Sequence, residues 1–257
     1  MVKPVPDFRL KLAETPAEIE AAQRLRYDVF VAELGGGGAD VDHEKRLERD
    51  QFDPFYDHLI LYDMSRKNDD QAIGVYRLLR GGKANEIGRF YSESEYDLSV
   101  LRESQRKLLE LGRSCLHADY RGGAAMYHLW NGLSDYILQH EIDILFGVAS
   151  FHGTDVAKLA EPLSLLHHRH LAPPELRVRA QAAAFQSMDL IPEQEINRVT
   201  AMRDVPALIK AYLRLGGCVG EGAFVDHEFN TTDICLVMDT QRLNAKQKAI
   251  YTRGQTT

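Results

Sequence analysis

Two charged residues three positions apart, Glu110 and Arg113, stand in the apolar strand that opens the stretch Leu109 to Gly123, LELGRSCLHADYRGG, and a glycine pair, Gly122 and Gly123, closes it. A carboxylate in apolar surroundings is a candidate general base. In a regular strand these two side chains point to opposite faces. Gly112 lies between them, and a bulge there resets the alternation, so that both face one cleft. Read without chemistry, the same pair is a structural ion pair. His58, at the head of another apolar run, is the second candidate base, because imidazole titrates near neutral pH. Its plainer alternative is a histidine bonded to a backbone carbonyl.

The next residues suggest an anion site. Arg121, Gly122 and Gly123 lead into Met126, Leu129, Trp130, Leu133 and Ile137, which recur at helical spacing. A strand, a glycine turn and a helix start together offer free N–H groups and the positive end of a helix dipole, and both favour phosphate. Ser114 and Cys115 sit near Glu110 without an obvious triad partner, so direct transfer is expected rather than a covalent intermediate.

The elements that must position these groups alternate. Phe8 to Ala13 reads as a strand; Pro16 starts a helix running to about Leu34, with Thr15 as its cap. Gly35 to Gly38 ends that helix, and Ala39 to Asp50 reads as a flexible loop or lid. His58 to Met64 and Ala72 to Leu79 are two antiparallel strands, and Tyr91 to Arg102 has no clear pattern. Ile142 to Phe151 is a strand buried on both faces. Helices follow over Asp155 to Leu171 and Val205 to Leu215, then strands over Gly217 to Val225 and Asp233 to Asp239. Ala172-Pro173-Pro174 is a candidate module boundary. This order describes an α+β domain.

Composition narrows the class. The 257 residues carry a net charge of −7, which argues against general nucleic-acid binding. One basic stretch, Leu166 to Gln181, is a candidate docking surface for an acidic carrier protein or anionic lipid, or simply a solvated segment. Its His167, His168 and His170 lack the i, i+4 spacing that puts two imidazoles on one helical face, so no metal site is expected. Cys115, Cys218 and Cys235 are scattered, which fits a reducing compartment. No apolar run reaches the ~18 residues of a membrane span.

The order of these segments resembles the GNAT-type acyltransferases, with Arg121 to Ala124 at the position of their phosphate-binding turn and Ala124 and Met126 at its later small positions. Arg26, Phe30, Asp50, Asp53, Arg77, Glu110 and Arg113 resemble the branch that takes acyl groups from acyl carrier protein, which includes the acyl-homoserine-lactone synthases. From about Arg24 to Met238 the chain is most similar to the L-ornithine Nα-acyltransferases, through RLRYDVFVAELGG, DQFDPFYDHLIL, GVYRLLR, LELGRSCLHADYRGG and FVDHEFNTTDICLV.

That resemblance implies an α+β GNAT-like fold, a mixed, mainly antiparallel sheet flanked by helices, with an extended helical C-terminal part. It implies a single domain over 1–257, with 152–216 as a helical insertion before the final hairpin. The implied reaction moves a 3-hydroxyacyl group from acyl carrier protein to the α-amino group of L-ornithine, with no resident cofactor. Glu110 and His58 would be catalytic, and Arg26, Phe30, Asp50, Asp53, Arg77, Arg113 and Asp119 would bind substrate. Arg121, Gly122 and Gly123 would take the donor's phosphopantetheine. The implied location is cytoplasmic, with peripheral contact at the inner membrane. The alternatives are a lactone synthase, acylation of another amino acid such as glutamine, or a non-catalytic carrier-protein binder.

Overall fold

The computed structural model describes residues 5–38, 40–67 and 70–242. In chain order the elements are β1 (Phe8–Leu12), α1 (Pro16–Arg26), a π-helical segment (Tyr27–Glu33), β2 (Asp57–Asp63), β3 (Ala72–Arg80), α2 (Gly81–Ile87), β4 (Tyr96–Asp97), α3 (Ser99–Glu103) and β5 (Leu108–Leu116). Then come α4 (Ala125–His140), β6 (Ile144–His152), α5 (Ala160–His170), β7 (Arg179–Ala180), β8 (Phe185–Gln186), α6 (Arg198–Asp204), α7 (Ala207–Arg214), β9 (Cys218–Val219), β10 (Ala223–Asp226) and β11 (Thr231–Asp239). The fold is α+β, a mixed and mostly antiparallel sheet flanked by helices. The described chain divides into two compact units, the first built from residues up to 87 and 111–141, the second from 88–110 and 142 onward.

In the first unit, β1, β2 and β3 pair antiparallel in sequence order. Thr15 caps α1 through a reciprocal capping box with Glu18, as Thr-Pro-x-Glu spacing requires. Ala22, Leu25 and Val29 then recur on one face and pack with Ile60, Val75 and Cys115. Side chains alternate along a strand, so His58 shares the face of Ile60, and Arg77 shares that of Val75. Helix α4 covers the opposite face. A Cβ at Gly74 would lie 2.7 Å from Leu129 Cδ1, and one at Gly132 only 2.0 Å from Leu10 Cδ2, so a side chain at either position would force the facing leucine to shift.

The helix predicted to reach Leu34 changes winding after Arg26. Leu34 N–H donates to the carbonyl of Val29, five residues back, and Gly35 ends the segment with φ +71°. The lid expected over Ala39 to Asp50 is tied down in its second half. Asp42 and Leu47 exchange backbone hydrogen bonds, and Glu48 N–H donates to Gln23 O. Beside Gly112, where a bulge was expected, Arg113 adopts the left-handed φ +48°.

In the second unit, β6 and β11 pair antiparallel over nine residues, from Ile144↔Asp239 to His152↔Thr231. The first residues of β5 run parallel to β6. The strand predicted over Gly217 to Val225 is two short ones, β9 and β10, interrupted where Gly222 turns to φ +76°. The region 152–216 holds three helices and also β7 and β8. Ala172-Pro173-Pro174 is not an exposed linker, since Ala172 is buried and its N–H donates to Val219 O. The α2 helix, with glycine at its first two positions, had no sequence signal.

Candidate active site

The first unit buries a charged network under α1. The β2–β3 register sets His58 opposite Arg77. Arg26, one residue past Leu25 on α1, is fully buried; its Nε donates to Glu48 Oε2 and its Nη1 to Asp53 Oδ1 at 2.7 Å. Arg77, also fully buried, donates from Nη1 to both oxygens of Asp50 at 2.7 Å and to Asp53 Oδ1 at 2.9 Å. It also stacks on the Tyr56 ring at 4.2 Å. Arg113 donates from Nε to Glu48 Oε1 at 3.0 Å, with Nη2 3.7 Å from Asp50 Oδ2. Gln23 completes Asp53 through a bond to Oδ2 at 2.9 Å. Three arginines thus face three carboxylates.

Burial works against ionisation of Asp53, but the charges of Arg26 and Arg77 outweigh it and hold the carboxyl below its ordinary value. Burial opposes the Glu48 charge too, and Arg113 and Arg26 bring its carboxyl down in the same way. The network is sealed at Arg26 and Arg77 and open at Asp50 and Arg113, whose side chains are 15% and 20% exposed. Asp50 also lines an open cavity of about 700 Å³ with Asp40, Asp42, Glu44, Arg49 and His43.

His58 Nε2 lies 3.0 Å from the Asp53 carbonyl. A carbonyl only accepts, so this bond assigns the proton to Nε2 and leaves Nδ1 as the acceptor. Nδ1 is buried without a partner among the described residues, as is Arg26 Nη2. Burial pushes the His58 pKa down, keeping the ring neutral.

The remaining predicted residues lie around or apart from this network. Phe30 packs against the α1 cluster. Arg121 forms a two-point pair with Glu33 at 2.5 and 2.6 Å and donates from Nε to Leu116 O, while Gly122 and Gly123 are exposed before α4. Asp119 is exposed on the 3-10 turn Ala118–Tyr120. Cys115 is buried, with its thiol pushed up to about 12, which is no state for a nucleophile. In the second unit, Glu110 is buried and accepts from the N–H groups of Tyr91 and Ser92 at 2.9 and 2.6 Å. Glu48 and Gln23 were missed by sequence reasoning. The signal was weak, since Glu48 sits in a polar stretch and becomes a site residue only when its loop folds back on α1.

An acetyltransferase (GNAT) domain model matches residues 25–131. The L-ornithine Nα-acyltransferase of Rhodobacter capsulatus is 60% identical over 96% of this chain and 95% of its own. The chain belongs to the L-ornithine Nα-acyltransferase family. A second member, from Brucella abortus, is 39% identical over 95% of this chain and 88% of its own. This family member is therefore an acyltransferase. Among solved structures, the CoA-dependent acyl-homoserine lactone synthase MesI shares the fold, with a TM-score of 0.51 and 13% identity over 96% of this chain and 94% of that one. Among the described residues, no helix of this acyltransferase is long and apolar enough to cross a membrane.

Proposed function

We propose that this enzyme moves a 3-hydroxyacyl group from acyl carrier protein to the α-amino group of L-ornithine, giving lyso-ornithine lipid. The observation that carries the reading is the double position of Asp50, fixed by Arg77 on one side and lining an acidic cavity on the other. A carboxylate held in this way can receive a substrate ammonium without reorganising, and the neighbouring Arg113 can receive a carboxylate. Arg26, Asp53 and Arg77 then act as positioning residues beneath them, and Phe30 as part of the apolar support. Exposed Asp119 stays a secondary candidate for the acceptor's charged end.

Of the two candidate bases, His58 suits the chemistry better. Its Nδ1 lone pair has no described protein donor, whereas both Glu110 oxygens accept backbone N–H groups. In the proposed step His58 takes a proton from the α-amino group through a water as the amine nitrogen bonds to the thioester carbonyl carbon. The C–S bond breaks, and the proton leaves with the carrier thiol. Glu110 would anchor the turn at Tyr91, and its removal tests that role against a chemical one. Arg121, held by Glu33, would present the turn at Gly122 and Gly123 to the donor's phosphopantetheine phosphate.

The test is mass spectrometry of products from purified enzyme, 3-hydroxyacyl carrier protein and competing acceptors. Ornithine amide as the main product is the expected result. A lactone, a glutamine amide, or binding without turnover would each replace the reading. Asp50→Asn is expected to raise the KM for ornithine about tenfold or more, at the scale of a charged hydrogen bond, with a smaller change in kcat.

A further inference from the structure

Outside the charged network, the second unit brings together three metal-ligating side chains that the sequence keeps apart. His167 and His168 lie in the last turn of α5, and adjacent helix positions diverge by about 100°. Asp189, twenty-one positions further on, reaches both. One carboxylate oxygen is 3.3 Å from His168 Nε2 and the other 3.9 Å from His167 Nε2. One ligand atom from each residue falls within 4.8 Å of the others. Donors bound about 2.1 Å from a tetrahedral Zn²⁺ sit about 3.4 Å apart, so these separations need only a small closure.

The scaffold around the three is firm. Ser164, fully buried on α5, accepts the N–H groups of Leu190 and Ile191 at 3.1 and 3.0 Å, and Ser187 Oγ accepts that of Asp189. Ile191 packs with Leu165, Ile196 and Ala201. The segment that carries Asp189 is therefore fastened to the helix that carries the histidines. The C-terminal end of α5 favours a cation through its dipole, and the neighbouring Arg169 is paired with Glu193, which offsets its repulsion. Both histidines are half-buried, while the Asp189 side chain is 56% exposed, leaving the fourth position open to water.

We propose that His167, His168 and Asp189 form a three-ligand site for a borderline divalent transition metal, Zn²⁺, that clips the Ser187 to Ile191 segment to the end of α5. Two nitrogens and one carboxylate suit Zn²⁺ rather than Mg²⁺, which requires an oxygen octahedron. His168 Nε2, 3.0 Å from the Ile191 carbonyl, must give up that bond when the metal binds, its ring proton moving to Nδ1.

The test is titration calorimetry of the chelator-stripped full-length enzyme with Zn²⁺ at pH 7.5, with Mg²⁺ as control. The expected result is one equivalent of Zn²⁺ bound and no response to Mg²⁺. His168→Gln and Asp189→Asn should each lower Zn²⁺ affinity about tenfold or more, with acyl transfer and the circular dichroism spectrum unchanged. No binding to the parent enzyme, or equal affinity in both folded variants, overturns the site and places any bound metal elsewhere.

Discussion

The network beneath α1 and the basic stretch from α5 to β7 start from the same material, arginines among carboxylates, and end differently. In the first, Arg26 and Arg77 are fully buried and share Asp53. In the second, each arginine finds its own partner near the surface. Arg169 pairs with Glu193, Arg179 with Glu221, and Arg177 donates to the Ala172 carbonyl. Two of the three arginines in the candidate docking stretch are thus paired with carboxylates. The physical difference is solvent: exposed pairs are screened and contribute ~0–1 kcal/mol, while a buried charge that loses its partner is strongly destabilising.

That contrast can be broken in order of expected size. Arg26→Met leaves Glu48 and Asp53 buried with less compensation, and urea unfolding should show a loss of about 3–5 kcal/mol. His58→Gln keeps the size and polarity of the site but removes the base; kcat should fall about 10²-fold or more with folding intact. In the parent enzyme the acid limb of kcat/KM should lie below the ordinary histidine value of ~6.5, because burial lowers the His58 pKa and the neutral ring is the active form. A limb at or above that value would remove His58 as the base.

Glu48 and Asp53 sharpen the same contrast through acid. Their folded pKa values are depressed, so the stability they contribute is present above the ordinary carboxylate range of ~4 and is lost as pH falls through the folded values. Unfolding free energy should drop below about pH 4, and Arg26→Met should flatten that drop. The smallest effect is Arg179→Gln, expected within about 0.5 kcal/mol of the parent by the same urea assay. A large loss there would mean that the surface pairs carry more than their exposure suggests.

Much of the frame was legible in the chain. Thr15-Pro16 with Glu18 announced the start of α1, and the Met126 to Ile137 spacing announced α4. The apolar runs gave β2, β3 and β6 to within two or three residues. The π-helical turn after Arg26 was not legible, because apolar spacing does not distinguish i→i+5 from i→i+4 bonding over one turn. Nor was the left-handed Arg113, because a glycine stood beside it and was the better candidate.

By itself the sequence determined the order of the main strands and helices, the residue types available for chemistry and the family. Local periodicity and capping act over a few residues, so they can be read along the chain. Only the tertiary structure decided which charges met. The loop that carries Glu48 folds back on Gln23, the β2–β3 register sets His58 beside Arg77, and the segment after β8 delivers Asp189 to α5. Each of these pairings joins residues more than ten positions apart, and the energy that fixes them comes from burial, which no local pattern records.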